Sequence, residues 1–371
     1  MAISKRILFS YILDWVAILV FAAISAGLNS VKPQKPPFSL SDLSISLPYK
    51  NDTISITLAG IVCVVLPAAI IAFVCCAIGA WRVQRASAHL RRQIWRRELW
   101  DWFSGWLGLG LSVVAAFFFA QAVKNLIGKP RPDFLARCNP DSNSQTKYAT
   151  EGFDPAGSVL VSWEICQSKD GGGFGIKEFE DGFRSFPSVA FSGLLYLTLF
   201  LATKFSVGIP FLTSAPSRRN NTHEHGVPFD ETEGIRKQNA AAPLYLVALV
   251  LIPFGAAIYI ASTRFSDGKH HGFDVIISSI TGSVCGYFGF RWYHLPITRG
   301  GGRSWAPRSA DRAFGISVGH LSYVRAGNDE IFSEGDLEHG AYNVQYTAQQ
   351  NAIEMNNLHR SETGSSRRQL R

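Results

Sequence analysis

The sequence predicts an all-α integral membrane protein: a bundle of six helices followed by a mostly disordered cytoplasmic tail. Three observations carry that prediction. Of 371 residues, 47% are hydrophobic and only 17% charged, against about a quarter charged in soluble chains. Six apolar stretches approach the roughly 20 residues that a helix needs to cross a bilayer core. Beyond Pro296 the chain is rich in Gly, Ser, Asn, Gln and Arg, with the weak apolar periodicity of disordered segments.

The expected spans are Ile7–Leu28, Ile54–Ala80, Phe103–Val123, Pro187–Thr203, Pro243–Ala261 and Phe273–Trp292. They place a membrane domain over residues 1–296 and a tail over 297–371. No secretory cleavage pattern precedes the first span, which reads as a retained anchor. The fourth is the shortest, 17 residues before Lys204.

Orientation follows from the distribution of basic residues in short loops. Between spans two and three stand Arg82, Arg85, Arg91, Arg92, Arg96 and Arg97, which marks that loop as cytoplasmic. Alternation then puts both termini and residues 204–242 inside, and segments 29–53, 124–186 and 262–272 outside. The net charge of +8 is thereby accounted for by topology and anionic lipid rather than by nucleic acid. The outer segment 124–186 also carries basic residues, against the rule, and a site for anions would explain them.

Six cysteines are too few for a disulfide scaffold. Cys63, Cys75 and Cys76 lie in an apolar run and read as small hydrophobes. Cys138 and Cys166 share one polar loop and can pair if it faces an oxidising lumen. Asn51-Asp52-Thr53 is a glycosylation sequon abutting a span, a poor position for use. The "GGGFG" at 171–175 lacks a preceding strand and a following Gly-Lys-Ser/Thr, so it reads as a flexible loop. His223-Glu224-His225 has no further ligands and reads as solvated surface.

Two clusters remain at the outer span ends. Lys124 and Arg131 are seven residues apart, two turns on one face if the helix is continuous. Pro130 and Pro132 would stop that helix at the rim. Either cation alone is equally a snorkelling anchor. Entering span six, Arg264 precedes His270 by six residues and Asp274 follows it by four. An i, i+4 spacing lets Asp274 accept from the His270 ring and fix its tautomer. Ionisable residues at this depth are functional candidates. Guanidinium groups with an ammonium and an oriented imidazole suit phosphoryl transfer, with positive charge supplied by side chains and no metal. A zinc site at His270-His271 is the competing reading; neighbours on a helix point about 100° apart and chelate poorly.

These residues resemble the type 2 phosphatidic acid phosphatases, or lipid phosphate phosphatases, which share a site with vanadium haloperoxidases. The first signature, Lys-x6-Arg-Pro, is matched by Lys124, Arg131 and Pro132. The third, Ser-Arg-x5-His-x3-Asp, is matched by Thr263, Arg264, His270 and Asp274, with Thr in place of Ser. "GKPRPDFLARC" and "FRSFPS" are most similar to fungal members acting on diacylglycerol pyrophosphate and phosphatidate. The resemblance implies magnesium-independent hydrolysis of lipid phosphates through a phosphohistidine, with no cofactor. It implies His270 as nucleophile, Asp274 as its orienting partner, and Lys124, Arg131, Arg264 and Ser188 on the phosphate. It implies a catalytic core on the outer or lumenal face of an endomembrane (vacuolar, endoplasmic reticulum or Golgi) or the plasma membrane.

The second signature, Pro-Ser-Gly-His, departs from the family. Pro187-Ser188 is followed directly by Val189-Ala190. Inserting Gly-His-Ser-Ser after Ser188 restores the pattern, so a four-residue in-frame loss is the most economical reading, and the chain as written is expected to be impaired. The alternatives are a non-catalytic lipid-phosphate binder and a transporter. The charges gather at one face and no paired short repeats appear, which disfavours the transporter.

Overall fold

The computed structural model describes residues 4–150, 159–170, 175–185, 190–207, 242–297, 302–310 and 312–314. The described chain is mostly helical, as expected. Among the described residues five helices are long and apolar enough to cross a membrane: α1 (Lys5–Ser30), α2 (Ile56–Arg85), α3 (Ala88–Ile127), α7 (Leu244–Ser266) and α8 (Gly272–Tyr293). Two short helices, α4 (Phe134–Cys138) and α5 (Ile176–Asp181), lie between α3 and α6 (Ala190–Lys204).

The fourth expected span is the one that differs. Helix α6 has 15 residues, about 22 Å at 1.5 Å per residue, short of a bilayer core of about 30 Å. Its expected first residues, 187–189, lie outside the described residues. Protein surrounds α6: Leu194, Tyr196, Leu197, Leu199 and Phe200 are all buried, and it packs against α3, α7 and α8. A helix apolar on every side is what such a position requires.

Close packing there depends on a break in α2. Pro67 has no N–H to bond the Cys63 carbonyl one turn back. The chain makes a π-type turn over Ile61–Val65 at that point. Gly193 of α6 rests on the same carbonyl; a Cβ there would lie 2.0 Å from its oxygen.

Helix α3 is 40 residues long, about 60 Å. The basic segment expected as a loop is therefore largely helix, broken only at Ala86–Ser87. At this end of the bundle Lys204 reaches Glu98 at 2.8 Å and Asp101 at 2.6 Å, and Arg82 reaches Glu98 at 2.9 Å. Beyond Pro296 the chain returns to this cluster: Ser304 Oγ bonds Asp101 and the Trp100 indole donates to the Trp305 carbonyl at 2.7 Å. Contacts divide the chain into two units, Tyr11–Trp305 and Met1–Ser10 with Ala306–Arg371. In the smaller one Arg308 donates to Ser10 Oγ at 2.6 Å and Ser10 Oγ to the Ala313 carbonyl at 3.0 Å. The rest of the expected tail, residues 298–301, 311 and 315–371, and the "HEH" lie outside the described residues.

The segment between α3 and α6, together with residues from the α1–α2 connection, builds a small core, here called the cap. Strands β1 (Phe38–Ser39), β2 (Ala149–Thr150) and β3 (Leu160–Val161) form an antiparallel sheet in the order β1-β3-β2. Phe38, Phe134, Val161, Ile165, Phe179 and Phe183 bury against one another beneath it. Cys138 and Cys166 form a disulfide within this core.

Candidate active site

The site stands where α3, α7 and α8 end beside this small core. Gly128 closes α3 with a left-handed residue at φ 61°, a conformation glycine adopts without cost. A side chain there would also collide with the Gln34 carbonyl, 2.0 Å away. The turn sends Lys129-Pro130-Arg131-Pro132 off the helix, and the Arg131 N–H donates to the Gly182 carbonyl at 2.8 Å. Lys124 and Arg131 are thus not on one continuous helix; the helix stops at Gly128, just ahead of the prolines expected to stop it. They converge nonetheless: both act electrostatically on His270 and on Asp181.

Arg131 is nearly buried and its guanidinium lies 2.9 Å from Asp181. Arg137 approaches the same carboxylate at 3.5 Å and is held by buried Asp133 at 3.0 Å. Burial opposes ionisation of Asp181, but Arg131, Arg137, Lys124 and Arg184 outweigh it and hold the carboxyl below its usual range.

His270 sits in the turn between α7 and α8, 8% exposed. Helix α8 begins at Gly272, with His271 as its extended N-cap. His270 is therefore one residue outside the helix, and the i, i+4 geometry expected with Asp274 does not form. The His270 Nδ1 instead bonds the backbone carbonyl of Ser185. A carbonyl only accepts, so Nδ1 carries the proton and Nε2 keeps its lone pair. Burial, then the charges of Arg131 and Lys124, push the His270 pKa down to about 3. The imidazole is neutral at physiological pH.

Asp274 is buried on the first turn of α8, where a carboxylate also favours the helix N-terminus. It accepts from Ser185 Oγ at 2.7 Å, Lys129 Nζ at 2.9 Å and His271 Nδ1 at 3.2 Å. Its neighbours are therefore Ser185, Lys129 and His271, and it reaches His270 through the Ser185 backbone.

Arg264 bonds the Ile54 carbonyl and lies 3.5 Å from Asp52 and 3.8 Å from Asp267. Its described contacts do not place it on His270. Ser188 lies outside the described residues. Sequence reasoning missed Ser185, Lys129, His271 and Asp181. Ser185 had a signal in "FRSFPS" and Lys129 one in "GKPRPDFLARC", and His271 entered only as a zinc ligand; Asp181 had none. The Nε atoms of Arg131, Arg184 and Arg264 are buried with no hydrogen-bond partner among the described residues. Buried donors of this kind call for an acceptor, and a phosphate oxygen is one that guanidinium groups bind strongly.

The model of the PAP2 superfamily matches residues 105–297. A Schizosaccharomyces pombe protein named probable diacylglycerol pyrophosphate phosphatase 1 is 27% identical, over 80% of this chain and 86% of its own length. The diacylglycerol pyrophosphate phosphatase 1 of Saccharomyces cerevisiae is 27% identical, over 76% and 80%. Lipid phosphate phosphatase 1 of Arabidopsis thaliana is 25% identical, over 82% and 75%. No solved structure matches the chain.

Proposed function

The chain belongs to the PAP2 superfamily, and on that premise we propose that it is built to hydrolyse lipid phosphates of the phosphatidate and diacylglycerol pyrophosphate type. The observation that carries the reading is the neutral, buried His270, whose Nε2 keeps its lone pair in the field of Arg131 and Lys124. Its Nε2 attacks phosphorus in line, the P–N bond forms, and the P–O bond to the leaving group breaks, the released oxygen taking its proton from solvent in the chain as written. Water then cleaves the phosphohistidine. Lys124, Arg131, Arg264 and Ser188 bind the phosphate and offset the charge on its oxygens, a role that needs no magnesium. Asp274 acts as a positioning residue.

The disulfide in the cap beside the site supports an outer or lumenal catalytic face, since such bonds persist in oxidising compartments. Both termini are then cytoplasmic, in an endomembrane or the plasma membrane.

In this reading the family's Gly-His after Ser188 supplies the acid for the leaving group, a contribution typically of 10²–10⁴-fold. The chain as written is then slow, and a version with Gly-His-Ser-Ser restored is fast. The missing pair also favours a second reading, a lipid-phosphate binder without turnover. Phosphate release from phosphatidate in EDTA, with and without vanadate, separates them. Release by the restored chain that His270→Ala abolishes supports the phosphatase. Lipid-phosphate binding without release by either chain supports the binder. Equal turnover by both chains removes the account of the missing residues.

A further inference from the structure

Resting on the phosphate-binding reading of this site, we propose that Asp181 is a resident anion: its carboxylate occupies Arg131 while the site is empty, and a substrate phosphate must displace it. Among the described residues Asp181 is the carboxylate that ion-pairs with Arg131, at 2.9 Å. It also faces Arg137, and Lys124 and Arg184 act on it. Two guanidinium groups therefore face one carboxylate at ion-pair distance, and two further cations act on it.

The two partners differ in freedom. Arg131 is fixed by Pro130 and Pro132, by its N–H to Gly182 and by burial, its side chain 10% exposed. Asp181 is the last residue of the six-residue α5 and its side chain is 38% exposed. The carboxylate can swing out while the arginine stays. Arg137 keeps its buried partner Asp133 when that happens, whereas Arg131 gives up the carboxylate it pairs with directly.

Asp181 also leaves the cradle incompletely satisfied. With the carboxylate in place the Nε donors of Arg131 and Arg184 have no partner among the described residues. A phosphate dianion brings twice the charge and more acceptor oxygens, so it can pair with Arg131 and engage those donors as well. The carboxylate offsets repulsion among the cations in the resting site, and the exchange raises the phosphate concentration needed to fill it.

The test uses the full chain in detergent, with inorganic phosphate as probe at constant ionic strength. Binding is read from the phosphate dependence of thermal unfolding. Asp181→Asn is expected to bind phosphate about tenfold more tightly, the scale on which one close charge pair acts, and to unfold at a lower temperature without phosphate. Glu180→Gln removes a charge from the neighbouring residue, which pairs with Lys35 at 3.8 Å, and is expected to leave phosphate affinity unchanged. Unchanged or weaker affinity in Asp181→Asn overturns the proposal. An equal gain in Glu180→Gln also overturns it, because the effect is then general charge rather than occupancy. If neither wild type nor Asp181→Asn binds phosphate, the phosphate-cradle reading itself falls, and this inference with it. If wild type binds and the variant fails to gain, only the inference falls.

Discussion

His270 donates its Nδ1 proton to the backbone carbonyl of Ser185, while Asp274 accepts from the hydroxyl of that same serine. One residue thus links the imidazole to the carboxylate expected to orient it. Because the acceptor on His270 is a backbone carbonyl, the tautomer with a free Nε2 is set by chain geometry and survives changes in side-chain ionisation. Asp274 holds the serine, Lys129 and His271 around that carbonyl, so its effect on His270 is positional.

A first prediction concerns acid. The His270 pKa is lowered in the folded state to about 3, from about 6.5 when unfolded. The unfolded chain binds the proton first, so stability is intact above about pH 6.5 and falls as pH drops toward 3. The carboxyl of Asp181, held below its ordinary range, adds its loss only at lower pH. Wild-type protein in detergent should lose thermal stability steadily between pH 6.5 and 4, and His270→Gln should lose less. His294, which burial also lowers, to about 4, titrates in both, so the difference belongs to His270. Parallel curves for the two proteins would place His270 in water.

The disulfide supports a second prediction. Cys138–Cys166 closes a loop of sequence separation 28, for which chain entropy suggests roughly 3.5 kcal/mol of stabilisation. Phe134 and Arg137, on the helix that Cys138 ends, touch the small core and the Asp181 carboxylate. Cys138→Ser with Cys166→Ser should lower the unfolding temperature and weaken inorganic phosphate binding. Unchanged phosphate binding would show that the cap is dispensable to the site.

What was legible in the sequence, and what was not, follows from the range of each interaction. Hydropathy located the helices, because the bilayer acts on each span separately. The 17-residue fourth span was visible as short, but its central position was not, because that depends on which helices surround it. The spacing of Lys124, Arg131, His270 and Asp274 singled out the site. The pairing of His270 with Asp274 was misjudged, since the His271 cap starts α8 one residue past His270, and the stop of α3 falls at Gly128 rather than at the prolines. Asp181 and Ser185 meet partners 50 and 85 residues away, contacts that local patterning does not encode.

Lys204 offers a prediction at the other end of the bundle. It neutralises Glu98, 1% exposed, together with Asp101. Lys204→Met removes the cation that pairs with both carboxylates, while Arg82 stays on Glu98 and Ser304 on Asp101. Breaking a buried pair on one side costs about 3 kcal/mol or more, so the unfolding temperature should fall clearly. Adding Asp101→Asn should restore part of the loss, because it removes the stranded charge; additive losses in a double-mutant cycle would show that the two do not interact.

The contact between Gly193 and Cys63 makes the sharpest statement about packing. A methyl at Gly193 would lie 2.0 Å from the Cys63 carbonyl oxygen, inside any allowed approach. That oxygen belongs to the π-type turn imposed ahead of Pro67, so neither helix can yield without remaking the break. Overpacking typically costs about 1–3 kcal/mol, and here the obstacle is backbone, so Gly193→Ala should reach or exceed the top of that range. Gly60, in the same helix as Cys63, provides the control. A Cβ there meets nothing within 4 Å, and alanine is the better helix former by about 1 kcal/mol. Gly60→Ala should therefore be neutral or stabilising while Gly193→Ala lowers the yield of folded protein and its unfolding temperature. Because α6 begins two residues past Ser188, the Gly193→Ala chain should also bind inorganic phosphate less tightly, whereas Gly60→Ala should not. Equal behaviour of the two variants would mean that α6 and the break in α2 are not in contact.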